Sequence, residues 1–198
     1  MQSATTTLAV LAALVATAAP AGAQQGGQTP PGNEQRLIAN AMSAAPRAVA
    51  EKATVAAIDD KGRMTTLRKG AGNFTCLPDN PTTPGNDPMC LDQNAVAWAQ
   101  AWMSRSTPPQ GKVGFGYMLQ GGSDASNTDP FASAPTAGDK WVETGPHVMI
   151  FNAPGILEGY PVQATDTRVP YVMWNGTPYA HLMIPVGEPS RANASQGK

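Results

Sequence analysis

Along the chain, apolar positions fall into short runs of contrasting period, separated by polar, proline-rich breaks. Residues 34 to 45 place Leu37, Ile38, Ala41, Met42 and Ala45 on one stripe after Asn33, a plausible N-cap, and predict an amphipathic helix that stops near Pro46. Thr54 to Ile58 and Met64 to Leu67 are β-favouring runs around Asp59-Asp60-Lys61-Gly62, the pattern of a hairpin. Asp92 is placed to cap a second helix reaching Met103, with Ala95, Trp98 and Trp102 at helical spacing. Beyond it, Val113 to Leu119, Trp141 to Glu143, His147 to Phe151, Tyr171 to Trp174 and Ala180 to Val186 have the length and composition of strands, and Ile156 to Tyr160 that of one helical turn.

Between these runs lie two polar stretches. The first, Phe74 to Cys90, holds both cysteines of the chain and Pro78, Pro81, Pro84 and Pro88, with Asn80, Gly85 and Asn86 to turn the backbone. A bridge between Cys76 and Cys90 would close a loop of thirteen residues and remove roughly 3 kcal/mol of unfolded-chain entropy in the chain-entropy account. The spacing is not CxxC, and two cysteines alone make a poor zinc site. The second stretch, Gln120 to Phe131, is polar and of the kind that carries ligands or partners, with Gln120, Ser123, Asp124 and Asn127 as its candidate contacts.

Composition narrows the classes. Thirteen basic against fourteen acidic residues, without a run of either sign, removes the footprint of a nucleic-acid binder or of a protein held on anionic lipid. Glycine and proline, 20 and 19 residues, make about a fifth of the chain, which favours a turn-rich fold. The apolar run Leu8 to Ala19 followed by Ala21-Gly22-Ala23 has the form of a signal peptide over residues 1–23, although its first residues lack a basic side chain. It is too short to span a bilayer, and no later segment is long enough. Residues 24–33 then form a Gln/Gly/Pro linker with nothing to bury, residues 34–188 one domain, and residues 189–198 a polar tail. The expected compartment is the periplasm or the outside of the cell, where a disulfide persists.

The runs TCLPDNPTTPGNDPMC, GYMLQGGSDASNTDPF, GPHVMI and GTPYAHLMIPV resemble a bacterial family of small, uncharacterised exported proteins. The resemblance covers most of residues 54–186. It implies export and a single compact domain, and it carries no activity or site residue.

Three sets of residues have chemistry to offer. His147-Val148-Met149-Ile150 and His181-Leu182-Met183-Ile184 repeat the pattern HxMI on predicted strands. Residues two apart share a strand face, so each pair presents an imidazole beside a thioether, and two neighbouring strands could assemble a donor set suited to copper(I). Met118, Met173 and Trp174 are further candidates for that environment. The competing reading is ordinary packing of methionine and half-buried histidine. Second, Asp124, Ser126 and Asp129, alone or with Asp79 or Asp87, alternate oxygens as a calcium turn would, yet without the glycine and glutamate of an EF-hand. Asx and Ser turns explain the same residues. Third, Ser123 after Gly121-Gly122 could act with His147 or His181 and Asp124, Asp129 or Asp166 as a hydrolytic set, although no GxSxG elbow is present.

The sequence therefore predicts a single α+β domain. Its sheet is mostly antiparallel and drawn largely from the second half of the chain, with two helices on one face, long loops and one disulfide. The expected function is an exported binding protein whose ligand the sequence does not identify, with copper(I) on the paired HxM strands as one candidate. A Ser/His hydrolase and a purely structural or partner-binding protein are the alternatives, and the balance leans away from an enzyme.

Overall fold

The computed structural model describes residues 31–188. The expected signal peptide, most of the linker and the tail 189–198 lie outside the described residues. Within them the fold is α+β: three helices and an eight-stranded, mostly antiparallel sheet.

The first helix, α1, runs Pro31–Met42 and so begins inside the stretch expected to be linker. Proline is well suited to an opening position, since its fixed φ is helical and its missing N–H would be unpaired there anyway. The helix also ends three residues earlier than the apolar stripe implied, and a separate short helix α2, Arg47–Ala50, follows Pro46. Ala41, Ala44 and Ala45 are buried against Val55, Cys76 and Cys90. These small side chains let the helix and the turn that follows it lie close to the strands, and Cys90 Sγ is 3.7 Å from the Ala41 carbonyl oxygen.

Strands β1 (Thr54–Ile58) and β2 (Met64–Arg68) form the expected hairpin. Asp59 Oδ1 accepts from the Lys61 and Arg63 amides, both at 2.9 Å, and Gly62 takes the left-handed conformation of the turn, φ 73°. The cysteine stretch contributes two strands that its prolines conceal, β3 (Phe74–Leu77) and β4 (Met89–Asp92). Their antiparallel register sets Cys76 directly opposite Cys90, and the disulfide joins them.

Asp92 ends β4 and caps α3, Gln93–Met103, by accepting the Ala95 amide at 2.8 Å. The helix lies over β5 (Gly114–Met118) at a point where no side chain would fit: a Cβ at Gly114 would stand 2.5 Å from the Ala95 nitrogen. The chain then makes β6 (Gly122–Asp124) and β7 (Val142–Thr144), a separate two-stranded ribbon, and returns to the main sheet as β8 (His147–Phe151), β9 (Tyr171–Met173) and β10 (His181–Pro185). The expected helical turn is a 3-10 turn at Pro154–Ile156.

Strand order is β2-β1-β3-β4-β5-β8-β10-β9, and β1/β3 is its one parallel pair. Four of the eight strands come from residues 54–92, so the first half contributes as much as the second, against expectation. The helices do not share a face either. Cys90 packs with α1 while its neighbour Leu91 packs with Ala95 and Trp98 of α3, and successive strand residues point to opposite faces. The sheet is thus covered by α1 on one side and by α3 on the other.

Candidate functional site

The face under α3 concentrates the soft side chains of the chain. Strand β8 alternates, with His147, Met149 and Phe151 buried and Val148 and Ile150 partly exposed on the other side. Its antiparallel pairing with β10 sets Met149 opposite Met183, Phe151 opposite His181 and His147 opposite Pro185. The two HxMI segments are therefore neighbours and share a face, with the methionines abreast and the histidines at diagonal corners. Flanking strands extend the pattern: Met118 of β5 pairs with His147, and Met173 of β9 pairs with His181. Gly116 of β5, opposite Met149, leaves room for it, because a Cβ there would come within 3.0 Å of Met149 Cε and 2.8 Å of Leu91 Cδ2.

A cavity of about 160 Å³ opens between this face, α3 and the two polar stretches. Its soft wall is formed by His181, Met149, Met183, Met118 and Met89. Three indoles close another side. Trp98 and Trp174 stack at 6.2 Å, Trp102 lies 5.2 Å from Trp174, and the His181 ring meets Trp98 and Trp174 edge-on at 5.2 and 5.1 Å. Its polar end carries Asn80, Thr83 and Asp87 from the cysteine loop, with Ser123 and Asp124 from β6. A larger open groove, about 730 Å³ along β7 at Lys140, Trp141 and Glu143, contains none of the soft donors.

The Gln120–Phe131 stretch, expected to contact a ligand, divides its residues between two tasks. Ser123 and Asp124 line the cavity. Gln120 Nε2 donates to the Ser43 carbonyl at 3.2 Å. The remainder brackets the indoles: Trp174 Nε1 donates to the Ser126 carbonyl at 2.9 Å, Trp174 N to the Asn127 carbonyl at 2.8 Å, and Trp102 Nε1 to the Pro130 carbonyl at 2.8 Å. Asn127 is buried and ties the loop to the Val162 carbonyl. These bonds hold Trp174 in the left-handed region, φ 56°, a conformation costly for a bulky residue and kept where surrounding structure over-determines it.

Both imidazoles are held alike. His147 Nδ1 lies 2.7 Å from the Gly145 carbonyl and His181 Nδ1 lies 3.0 Å from the Tyr179 carbonyl. A carbonyl only accepts, so each Nδ1 carries the proton and each Nε2 presents a lone pair. Burial lowers both histidines to a pKa of about 4, so they are neutral near pH 7.

The carboxyl groups move the other way. Burial, reinforced by a hydrogen bond with Asp79, raises Asp87 to about 6, and burial with the charge of Asp87 nearby raises Asp124 to about 7. Thr83 Oγ1 donates to Asp87 Oδ2 at 2.7 Å, which only partly offsets the shift. An acid with a native pKa above its unfolded value of 3.8 disfavours the native state increasingly as pH rises from about 4 to its native pKa. The histidines act oppositely as pH falls from 6.5 to about 4. Asp124→Asn removes one of the rising penalties. Its expected gain in stability is near zero at pH 4 and on the order of 1–2 kcal/mol at pH 8, discounted for the partial exposure of the residue. Urea midpoints at both pH values check this, and a gain independent of pH would contradict it.

The other candidate sets do not assemble in the same way. Ser126 Oγ accepts the Thr128 and Asp129 amides at 3.1 and 3.0 Å, and Asp129 Oδ1 accepts the Phe131 amide at 2.9 Å, so these oxygens close turns. Among the described residues no group of three or more His, Cys, Asp or Glu side chains is placed to hold a metal ion. Ser123 lies near Asp124, but the protonated nitrogen of each imidazole faces a backbone carbonyl rather than a carboxylate, and Asp166 is engaged with Arg168 on the surface. No family model, no curated protein and no solved structure matches this chain.

Proposed function

We propose that the protein is an exported binding protein that takes up copper(I) in the cavity under α3, on the thioethers of Met149 and Met183 and on His181 Nε2. The observation that carries this reading is the register of β8 with β10, which sets Met149 against Met183 on the cavity wall beside His181. Thioether and neutral imidazole are soft donors that suit copper(I) over zinc or calcium. The Tyr179 carbonyl fixes the tautomer in the manner of an outer-shell partner, so Nε2 needs no proton loss before it can ligate. Met89 extends the soft wall, and methionine side chains are flexible enough to close around an ion. Neutral ligands leave the charge of the cation uncompensated, and Asp87 and Asp124 lie at the polar end of the same cavity. Export is supported by the apolar N-terminal run and by the Cys76–Cys90 disulfide, a bond that persists in oxidising compartments.

The test is an anaerobic competition titration against a chromophoric copper(I) chelator. The wild-type chain is expected to compete for copper(I). Met149→Leu with Met183→Leu preserves volume, so the fold is retained, and because it removes two ligands it is expected to weaken the affinity by at least about 100-fold, the upper end of the loss when only an outer-shell partner is altered. Absence of competition by the wild type, or an unchanged affinity in the double variant, would overturn the reading. In that event His147 and His181 return to the role of packed, hydrogen-bonded core histidines.

A further inference from the structure

Strands β8 and β10 are related by an approximate two-fold axis through the Met149/Met183 pair. A shift of 34 residues carries His147 onto His181, Met149 onto Met183 and Phe151 onto Pro185, and the antiparallel register pairs each of these with the symmetry equivalent of its partner. The relation extends outward, because β5 brings Met118 beside His147 as β9 brings Met173 beside His181. It extends to hydrogen bonding as well: in both segments Nδ1 bonds the carbonyl two residues earlier, Gly145 at 2.7 Å and Tyr179 at 3.0 Å. Each corner of the face therefore holds an imidazole with a free Nε2 lone pair and a thioether on the flanking strand, and the two central methionines lie between the corners.

The corners differ in one respect. His181 borders the cavity, whereas His147 is fully buried and its Nε2 has no hydrogen-bond partner. A buried acceptor without a donor is rare in folded proteins and calls for an explanation. Met118 is the register partner of His147 on β5. A Cβ built on Gly122 would stand 2.9 Å from Met118 Cε, 3.3 Å from His147 Cε1 and 3.5 Å from Met118 Sδ, so the thioether and the ring crowd the same point, which leaves no room for a side chain at residue 122. An acceptor nitrogen beside a thioether, in an apolar setting that keeps the imidazole neutral, is the environment of a soft monovalent ion, and such an ion would satisfy the orphaned lone pair.

We propose that the face holds two copper(I) ions, the second bound by His147 Nε2 and Met118 Sδ at the corner opposite His181. This rests on the copper(I) reading of the cavity and adds a second site and a stoichiometry to it. The experiment is a titration of the full chain with copper(I) to saturation, counted by chelator competition, for the wild type and for His147→Gln, Met118→Leu and His181→Gln, with near-ultraviolet circular dichroism as the check of fold. The wild type is expected to bind two equivalents. His147→Gln and Met118→Leu are each expected to retain one, His181→Gln also one, and His147→Gln combined with His181→Gln none. Copper-edge X-ray absorption of the His181→Gln protein is expected to show one nitrogen scatterer with sulfur. A wild type that saturates at one equivalent, lost in His181→Gln and kept in His147→Gln and Met118→Leu, overturns the second site and leaves the first intact. A wild type that binds no copper(I) overturns both. Should His147→Gln fail to fold, the conservative Met118→Leu still decides the question.

Discussion

Truncating Trp98 to alanine is expected to cost about 3–5 kcal/mol, the range for removing a large aromatic side chain from a core. The residue is 4 % exposed, and its ring is surrounded by Phe151 at 4.4 Å, His181 at 5.2 Å, Trp174 at 6.2 Å, and Trp102 and Tyr179 at 6.3 Å. No small shift of α3 could close the space, because Gly114 already holds the helix backbone against β5. For a domain of this size the loss corresponds to a fall in melting temperature of roughly 6–20 °C. Trp98→Phe should lose markedly less, since it keeps a ring over Phe151 and also removes an indole N–H that is buried without a partner. Urea unfolding followed by circular dichroism measures both. A loss below about 1 kcal/mol for the alanine variant would mean that the indoles do not organise the core. Because the same ring meets His181 edge-on, the alanine variant should also lose order at the cavity wall.

Removing the disulfide, by Cys76→Ala with Cys90→Ala, is expected to cost about 3 kcal/mol, or roughly 6–12 °C in melting temperature. Both sulfurs are fully buried, and alanine at each position leaves no unpaired polar atom behind. The effect should reach the cavity. The closed loop carries Asn80, Thr83 and Asp87, and its outer end is tied to α1 where Asn40 accepts the Asp79 amide and donates to Asn86 Oδ1, both at 2.7 Å. Melts of the double variant with and without Asn40→Ala would separate the two restraints. An unchanged melting temperature in the double variant would mean that strand pairing alone sets the loop.

Much of this was legible in the sequence, because local rules act on local residues. Asp92 could be read as a cap and α3 as a helix, since the capping carboxylate and the Ala/Trp stripe lie within one short segment. The strands at His147–Phe151 and His181–Pro185 could be read from length and branching. Other elements were concealed by composition. Strands β3 and β4 sit in a proline-rich stretch that looks like loop, and β6, Gly122–Asp124, is too polar to resemble a strand and pairs only in a two-stranded ribbon. Which faces α1 and α3 cover follows from the parity of Cys90 and Leu91 in β4, and that strand was not foreseen. Within the candidate site, the HxMI echo showed the donors but not their partners. That Met118 stands beside His147, and that Asp87 joins Asp124 at one cavity, depends on strand order and on a loop fixed by contacts 39 and 46 residues away in sequence. No pattern within a window of the chain encodes those distances.

The burial of the sheet-face methionines also sets their chemical lifetime. Met118, Met149, Met173 and Met183 are 8, 5, 0 and 2 % exposed. Thioethers are oxidised to sulfoxides by peroxides, which turns a flexible apolar group into a polar, chiral one. Methionines on an open surface meet peroxide directly, whereas here peroxide must enter the cavity or wait for α3 to lift. Oxidation of these residues should therefore track opening of the fold, and the exposed Met64 and Met103 should be consumed first.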